Sequence, residues 1–228
     1  MCTILLRLDP TADEAVVLAA NRDEFRGRPA DPPGRIAPGV FAGRDRQAGG
    51  TWLAVGRRGL AAVTNVRDLP RRADARSRGV LPLAALDGTL PSRFDDFNAF
   101  NLLIVDRAGA RVITHLGPGR TSAPVVLAAG THAIVNEPFD TGDSPRRQRA
   151  EALVASAPPS FALLADHGPP ADHGLCHHGE AYGTVSSTVI ALDTSFRVRR
   201  YEHRAGLPCR TATDDLTLAA RRTIGGDA

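Results

Sequence analysis

Short apolar runs separated by turn residues dominate this chain, and most of them come in pairs. The run CTILLRL is followed by the turn DPTADE and then by AVVLAA, which predicts two antiparallel strands at residues 2–8 and 15–20. The same pattern recurs further along the chain. It predicts strand pairs at 51–55 and 60–65, in FNLLIVDRAGARVITHLG with a turn at 107–110, and in GTVSSTVIALDTSFRVRRYEHR with a turn at 193–195, together with a short strand in HAIVNEPF.

Helical spacing occurs between these strand pairs. Residues 80–86 carry it, RRQRAEALVASA carries it directly after Ser144 and Pro145, and 161–166 predict a further helical piece. Strands in hairpins with helices between the sets indicate an α+β layered fold, here in one domain over residues 1–228. The remaining segments are expected to form a Pro/Gly-rich loop at 29–43, a flexible loop at 166–182 and a C-terminal tail at 214–228.

Composition narrows the classes of function. All 28 basic residues are arginines, but they are scattered among acids and the formal net charge is only +3, whereas nucleic-acid binding needs a concentrated basic face. No run approaches the roughly 18 apolar residues of a membrane span, and Arg7 and Asp9 interrupt the first apolar run too early for a secretory signal. Three widely spaced cysteines argue against a disulfide framework. We therefore expect a cytoplasmic protein that acts on a small molecule, with its oligomeric state open.

The first hairpin brings Cys2 close to a polar run, Asn-Arg-Asp-Glu, at residues 21–24. With a turn at 9–14, facing residues have numbers that sum to about 23, so Cys2 is predicted to lie opposite Asn21, with Arg22 and Asp23 one step away. Two interpretations follow. Cys2 is either a small buried strand residue followed by a solvated strand exit, or the nucleophile of a reactive site.

The reactive interpretation has a physical basis in the position of Cys2. Removal of Met1 would leave an α-amine on the carbon that bears the thiol group, and an α-amine has a pKa of about 7.7–8.0. That amine can accept the thiol proton, and a thiol becomes a competent nucleophile beside a base or a cation. Arg22 would supply the cation, and Asp23 or Glu24 would hold the ammonium group.

Two other clusters have candidate chemistry. His167, His173, Cys176, His177 and His178 are the kinds of residue that bind zinc or copper, but their spacing matches no compact zinc finger, so we predict a polar lid and no metal. In the segment GGTW, paired glycines permit close backbone approach before two candidate pocket residues. The predicted substrate-binding residues are Thr51, Trp52, Thr184 and Ser186.

The order of several motifs resembles a known family. MCT, LAANRDEFRGRP, GGTWLAV, LAAVTNVR, FNLLIVD, VNEPFDT and YGTVSSTVIALD follow one another as in the NRDE, or Transport and Golgi organisation 2, family. That family is similar to N-terminal nucleophile (Ntn) hydrolases, which include choloylglycine hydrolases, penicillin V acylases and isopenicillin N acyltransferases. The resemblance implies a four-layer αββα sandwich with Cys2 as the nucleophile.

The resemblance also implies roles for individual residues. Asn65 and Asn136 resemble two asparagines that hold the oxyanion or the α-amine, and the arginine and aspartate that close the second strand in bile-salt hydrolases correspond either to Asn21 and Glu24 or to Arg22 and Asp23. Many relatives have arginine where this chain has Val185. The predicted activity is a cysteine amidohydrolase or acyltransferase that acts on an unidentified small amide without a cofactor. The alternative is a non-catalytic protein that binds haem, acyl-CoA or another lipid-derived ligand.

Overall fold

The structure is a computed structural model that describes residues 2–169 and 173–225. Its elements confirm an α+β fold with antiparallel sheets. Within the described residues, no helix has the length and hydropathy that a membrane crossing requires. The strands are β1 Thr3–Leu8, β2 Val16–Phe25, β3 Ala30–Ala37, β4 Val40–Asp45, β5 Leu53–Gly56, β6 Gly59–Asn65, β7 Phe100–Asp106, β8 Gly109–His115, β9 Val125–Leu127, β10 Gly130–Ile134, β11 Tyr182–Leu192, β12 Val198–Arg204 and β13 Asp214–Asp215, and the helices are α1 Leu81–Asp87, α2 Pro145–Ser156, α3 Phe161–Leu164 and α4 Thr217–Gly225.

The chain divides into two compact units. The first unit comprises the described residues of 1–28, 128–135 and 143–222. Its six-stranded sheet has the order β10-β1-β2-β11-β12-β13, and α2 and α3 pack on it. Leu5, Ala19 and Val189 of the sheet meet Val154 of α2 and Phe161 of α3 in a buried apolar core.

Helix α2 begins where the sequence predicts. Pro145 occupies the first turn, where its missing N–H costs no intrahelical hydrogen bond. The side-chain oxygen of Ser144 accepts a hydrogen bond from the Arg147 backbone N–H at 3.2 Å, which satisfies one of the free donors of that turn. The cap fixes where α2 begins and therefore the position from which the Arg146 side chain projects from the helix.

The second unit comprises the described residues of 29–127, 136–142 and 223–228. Its seven-stranded antiparallel sheet follows chain order from β3 to β9, because each strand is joined to its neighbour by a hairpin or a longer connection. Helix α1 packs on β5, β6 and β7 through Leu81 and Leu86. Gly50 passes so close to Gly79 that an added Cβ atom would lie 2.4 Å from the Gly79 carbonyl carbon, which explains a glycine before Thr51.

The predicted hairpins are confirmed, and three segments differ from the prediction. Residues 29–43 were expected to be a loop, but they contain β3 and most of β4. The second strand was expected to end at residue 20, but β2 continues to Phe25. The expected C-terminal tail contains β13 and α4, and its last residues, 226–228, lie outside the described residues, as do 170–172 of the predicted flexible loop.

Candidate functional site

The polar run at residues 21–24 lies inside strand β2. All four residues pair with β11, Asn21 also pairs with β1, and Asn21, Arg22 and Asp23 are buried. The run is therefore not the solvated strand exit expected if Cys2 were only a small buried strand residue. The predicted register is also wrong by one residue, because Thr3 rather than Cys2 lies opposite Asn21. Ala15 belongs to the turn, where its carbonyl accepts a hydrogen bond from the Asp9 N–H at 2.8 Å. The turn is therefore one residue longer than predicted.

This register decides which side chains share a face, because successive side chains of a strand point to opposite sides of the sheet. Thr3 and Asn21 belong to the face that packs on α2 and α3. Cys2 comes immediately before β1 and lies in line with Arg22, which is paired with Ser186 of β11. Cys2, Arg22 and Ser186 are thus neighbours on the opposite face.

Asp23 is the centre of a buried polar network, which we call the Asp23 cluster and which consists of Asp23, Arg146, His177 and Thr184. The Thr184 hydroxyl donates to the Asp23 carboxylate at 2.7 Å. The other carboxylate oxygen lies 3.5 Å from an Arg146 guanidinium nitrogen and 3.8 Å from His177 Nε2. The Asp23 side chain has no exposed surface, so its charge depends on these partners for stabilisation.

Arg146 reaches this cluster from the first turn of α2. Its guanidinium group donates to the Thr3 hydroxyl at 2.8 Å, and it also contacts the Gly174 carbonyl and His177 Nε2. Arg146 therefore joins the start of β1, the end of β2 and the loop at 166–178. The arginine is buried, which is uncommon unless the charge is paired.

The half-buried Cys2 lies beside the same segment of β2. Its thiol donates to the Asp23 backbone carbonyl with the sulfur 3.8 Å from the oxygen. Burial raises the pKa of the Cys2 thiol, the negative charge of Asp23 raises this pKa further, and the positive charge of Arg22 opposes both. At neutral pH the thiol is protonated, so a nucleophilic role requires a group that removes its proton.

Asn21 and Glu24, the two remaining members of the polar run, also have hydrogen-bond partners. The Asn21 amide donates to the backbone carbonyls of Leu164 at 3.0 Å and Leu175 at 2.8 Å, and its oxygen accepts from Ser187 at 2.7 Å. The Glu24 carboxylate accepts from the backbone N–H of the next residue at 2.9 Å and lies 3.8 Å from the Arg28 guanidinium group. Asn21 thus holds neighbouring backbone in place, and Glu24 stabilises the end of its own strand.

The other predicted residues lie in the second unit. The buried Asn136 donates its amide N–H to the Asn65 backbone carbonyl at 2.7 Å, whereas the Asn65 side chain is exposed. The Thr51 hydroxyl donates to the Leu53 carbonyl at 3.0 Å, and the Trp52 ring packs over Gly43. Their roles toward Cys2 stay predictions.

Comparison with known proteins identifies the family. A family model described as Transport and Golgi organisation 2 matches residues 1–158. The chain belongs to the Transport and Golgi organisation 2 family. A bovine Transport and Golgi organization protein 2 homolog is 34% identical over 250 residues, which cover 87% of this chain and 91% of the relative. Homologs from mouse and human are 32% and 34% identical over 163 residues, which cover 62% of this chain and 59% of each relative.

Within this member of the Transport and Golgi organisation 2 family, Val185 occupies an irregular position. The pairing of β11 with β2 shifts between Thr184 and Ser186, so Val185 is an extra residue in a β-bulge. The bulge allows Thr184 to bond Asp23 while Ser186 pairs with Arg22. Of the predicted substrate-binding residues, Thr184 and Ser186 are therefore the two that lie beside the polar run.

Sequence reasoning missed Arg146 and His177 as members of the cluster. Both stand in segments that look solvent-exposed, an arginine-rich helix start and a His/Gly/Pro-rich loop, and arginine is mostly exposed in proteins. The clearest sequence signal for Arg146 was the helix cap at Ser144, which fixes where the Arg146 side chain projects from α2. The same loop also contributes to a cluster of possible metal ligands that includes Cys209, a residue the spacing argument did not consider.

Proposed function

We propose that Cys2 is the N-terminal nucleophile of an amidohydrolase or acyltransferase that acts on a small amide. The observation that carries the proposal is the position of the Cys2 sulfur, 3.8 Å from the backbone oxygen of Asp23, where the charges of Asp23 and Arg22 both act on the pKa of the thiol. Buried charged groups beside a candidate nucleophile are typical of functional sites. The nucleophile requires removal of Met1, which lies outside the described residues.

The fold proposed for this activity is the four-layer αββα sandwich of N-terminal nucleophile hydrolases. Each unit supplies an antiparallel sheet, with six strands in the first and seven in the second. Each sheet also has helices packed on it, α2 and α3 in the first unit and α1 in the second. These are the components from which such a sandwich is built.

The chemistry begins with the protonated thiol of Cys2. The α-amine of the processed chain takes the thiol proton, and the thiolate attacks the amide carbonyl carbon of the substrate. Asn65 and Asn136 are the proposed donors to the resulting oxyanion, where one such donor contributes about 10²–10³ in rate. The C–N bond breaks, the amine leaves with the proton, and water or an acceptor amine releases the acyl group from sulfur.

The geometry favours Arg22 and Asp23 over Asn21 and Glu24 for the roles of the arginine and aspartate that close the second strand in bile-salt hydrolases. Arg22 lies in line with Cys2, and its positive charge opposes the upward shift of the Cys2 pKa. Asp23 contacts the Cys2 sulfur through its backbone oxygen, whereas the Asn21 side chain bonds the Leu164 carbonyl and the Glu24 side chain bonds the backbone of the next residue. We therefore assign the cation role to Arg22 and the orienting acid to Asp23.

The test combines intact mass with covalent labelling. We expect the purified chain to begin at Cys2 and to take one iodoacetamide on its N-terminal peptide, which Cys2→Ala abolishes. The matched control retains Cys2 but carries an extra N-terminal residue, so the sulfur stays and its α-amine is lost. On a panel of N-acyl aminocoumarins, this control should lose about 10²-fold or more of the hydrolysis rate, since general-base catalysis contributes that much.

Two outcomes would overturn the proposal. The first is a mature chain that still begins with methionine, and a co-purified haem or acyl-CoA in that protein would favour carriage of a ligand over catalysis. The second is equal amide hydrolysis by the wild type and Cys2→Ala.

A further inference from the structure

We propose that His167, Cys176, His178 and Cys209 bind one zinc ion in a closed, four-coordinate site. All four residues belong to the first unit, and their ligand atoms lie within 4.8 Å of one another. Two imidazoles and two thiols form a ligand set that zinc takes in structural sites. The proposal does not involve Cys2 and stands apart from the proposed catalysis.

Four of the six distances between the ligand atoms match the edges of a tetrahedron around zinc, and the two from His167 to the sulfurs are within 4.8 Å. With Zn–N of about 2.0–2.1 Å and Zn–S of about 2.3 Å, the expected edges are about 3.3–3.4 Å between nitrogens, about 3.5 Å from nitrogen to sulfur and about 3.8 Å between sulfurs. The Nε2 atoms of His167 and His178 are 3.1 Å apart, and the two sulfurs are 3.8 Å apart. His178 Nε2 lies 3.5 Å from the Cys176 sulfur and 3.3 Å from the Cys209 sulfur.

A disulfide bond and an iron–sulfur cluster fit this geometry less well than a zinc ion does. Both cysteines are free, and a disulfide would need a sulfur–sulfur distance of about 2.05 Å. An iron–sulfur cluster of the His2Cys2 type holds the imidazoles on one iron and the thiolates on the other, whereas here His178 Nε2 approaches both sulfurs. A tetrahedral set of two nitrogens and two sulfurs around a single centre is typical of zinc.

The backbone holds two of the ligands in place before any metal binds. The N–H groups of Leu175 and Cys176 both donate to the Asp166 carbonyl at 2.9 Å. The Asp166 carboxylate in turn accepts from Arg149 Nε of α2 at 2.6 Å. Gly174 passes so close to His167 that an added Cβ atom would lie 2.3 Å from the His167 carbonyl oxygen, so this close approach requires a glycine at 174.

The charges balance when zinc binds. The two thiols release their protons to solvent, and the two imidazoles bind as neutral groups through Nε2. A divalent cation with two thiolates then adds no net charge to a site in which Cys176 is buried. The ion would tie the loop at 166–178 to the segment that follows β12.

The test is the metal content of the full chain, purified without a histidine tag. Mass spectrometry of the metals should find one zinc per chain in the wild type and about a tenth of that or less in Cys209→Ser and His178→Asn, since a structural site needs all its ligands. His173→Asn is the matched control. It removes a histidine of the same loop that is not among the four ligands, and its zinc content should equal that of the wild type.

Two measurements keep the test valid if a variant fails to fold. Cobalt substituted into the wild type should show thiolate-to-cobalt charge-transfer bands and the strong visible bands of tetrahedral cobalt. Zinc should also protect Cys176 and Cys209 from a thiol reagent, with release of one zinc per chain on complete modification. Wild-type protein without stoichiometric metal after reconstitution with zinc, stoichiometric iron or copper instead of zinc, or unchanged zinc in folded Cys209→Ser would overturn the proposal.

Discussion

Arg146→Met tests whether the stability of the fold depends on the buried ion pair between Arg146 and Asp23. The Arg146 and Asp23 side chains are 7% and 0% exposed and approach to 3.5 Å. Removal of the arginine leaves the carboxylate with the Thr184 hydroxyl but without this cation. A broken buried pair costs about 3–5 kcal/mol, because an uncompensated charge stays in the interior. That is a large share of the 5–15 kcal/mol that stabilises a typical domain.

A second variant separates the ion pair from the lost packing. Asn has nearly the shape of Asp, and its oxygen can still accept the Thr184 hydroxyl, so Asp23→Asn combined with Arg146→Met removes both charges and keeps that bond. The double variant should lose less stability than the sum of the single variants, with a coupling energy of about 2 kcal/mol. Arg147→Met is the control, since Arg147 pairs with an exposed Glu151 at 2.8 Å, and such a pair contributes only about 0.5 kcal/mol.

Urea denaturation measures the wild type and the four variants at equal zinc content. With a slope of about 1–3 kcal/mol per molar urea, Arg146→Met should lower the unfolding midpoint by about 1–2 M or more, and Arg147→Met by no more than a few tenths. The reasoning is refuted if Arg146→Met and Arg147→Met have the same midpoint. It is also refuted if the losses from Asp23→Asn and Arg146→Met simply add.

Two further predictions concern pH and close packing. Burial lowers the pKa of His203 to about 4 against the nearby charge of Asp214, which acts in the opposite direction. The unfolded chain therefore binds a proton below about pH 6.5 that the folded chain does not bind, and the free energy of unfolding should fall by about 3 kcal/mol between pH 6.5 and 4. His203→Asn should reduce this pH dependence in urea titrations, and an unchanged pH dependence would show that His203 is not its cause. Gly50→Ala should cost about 1–3 kcal/mol because of its contact with Gly79. Gly27→Ala has no atom within 4 Å of the added Cβ, so equal thermal midpoints for the two variants would refute the packing argument.

The hairpins were predictable because each signal is local. A turn such as Arg57-Arg58 between β5 and β6 stands between two apolar runs, and the order of the residues alone specifies an antiparallel pair. Strand β3 was missed because it contains Pro32 and Pro33, which lack a backbone N–H and are typical of loops. It tolerates them because it is an edge strand whose pairing shifts at that point.

The candidate site was less predictable because it depends on register and on distant contacts. Assigning Ala15 to the strand instead of the turn displaced Cys2 by one residue and exchanged the two faces of the sheet. The burial of Arg146 depends on Asp23, which is distant along the chain, and no local pattern indicates it. Cys209 follows Cys176 by 33 residues, so spacing within the loop could not include it.

The loop at 166–178 connects the two proposals through neighbouring side chains. Cys176 and His178 face the other two zinc ligands, whereas His177 between them contacts Arg146 and lies 3.8 Å from the Asp23 carboxylate. The His177 backbone is also fixed, since its N–H donates to the Thr184 hydroxyl at 2.9 Å. An ion that holds the two flanking ligands would therefore restrict the position of His177 and, through its contacts, the positions of Arg146 and Asp23. The Asp23 charge in turn acts on the Cys2 thiol. If so, removal of zinc should disturb the labelling of Cys2 without any metal touching that residue, whereas the His173→Asn control should leave it unchanged.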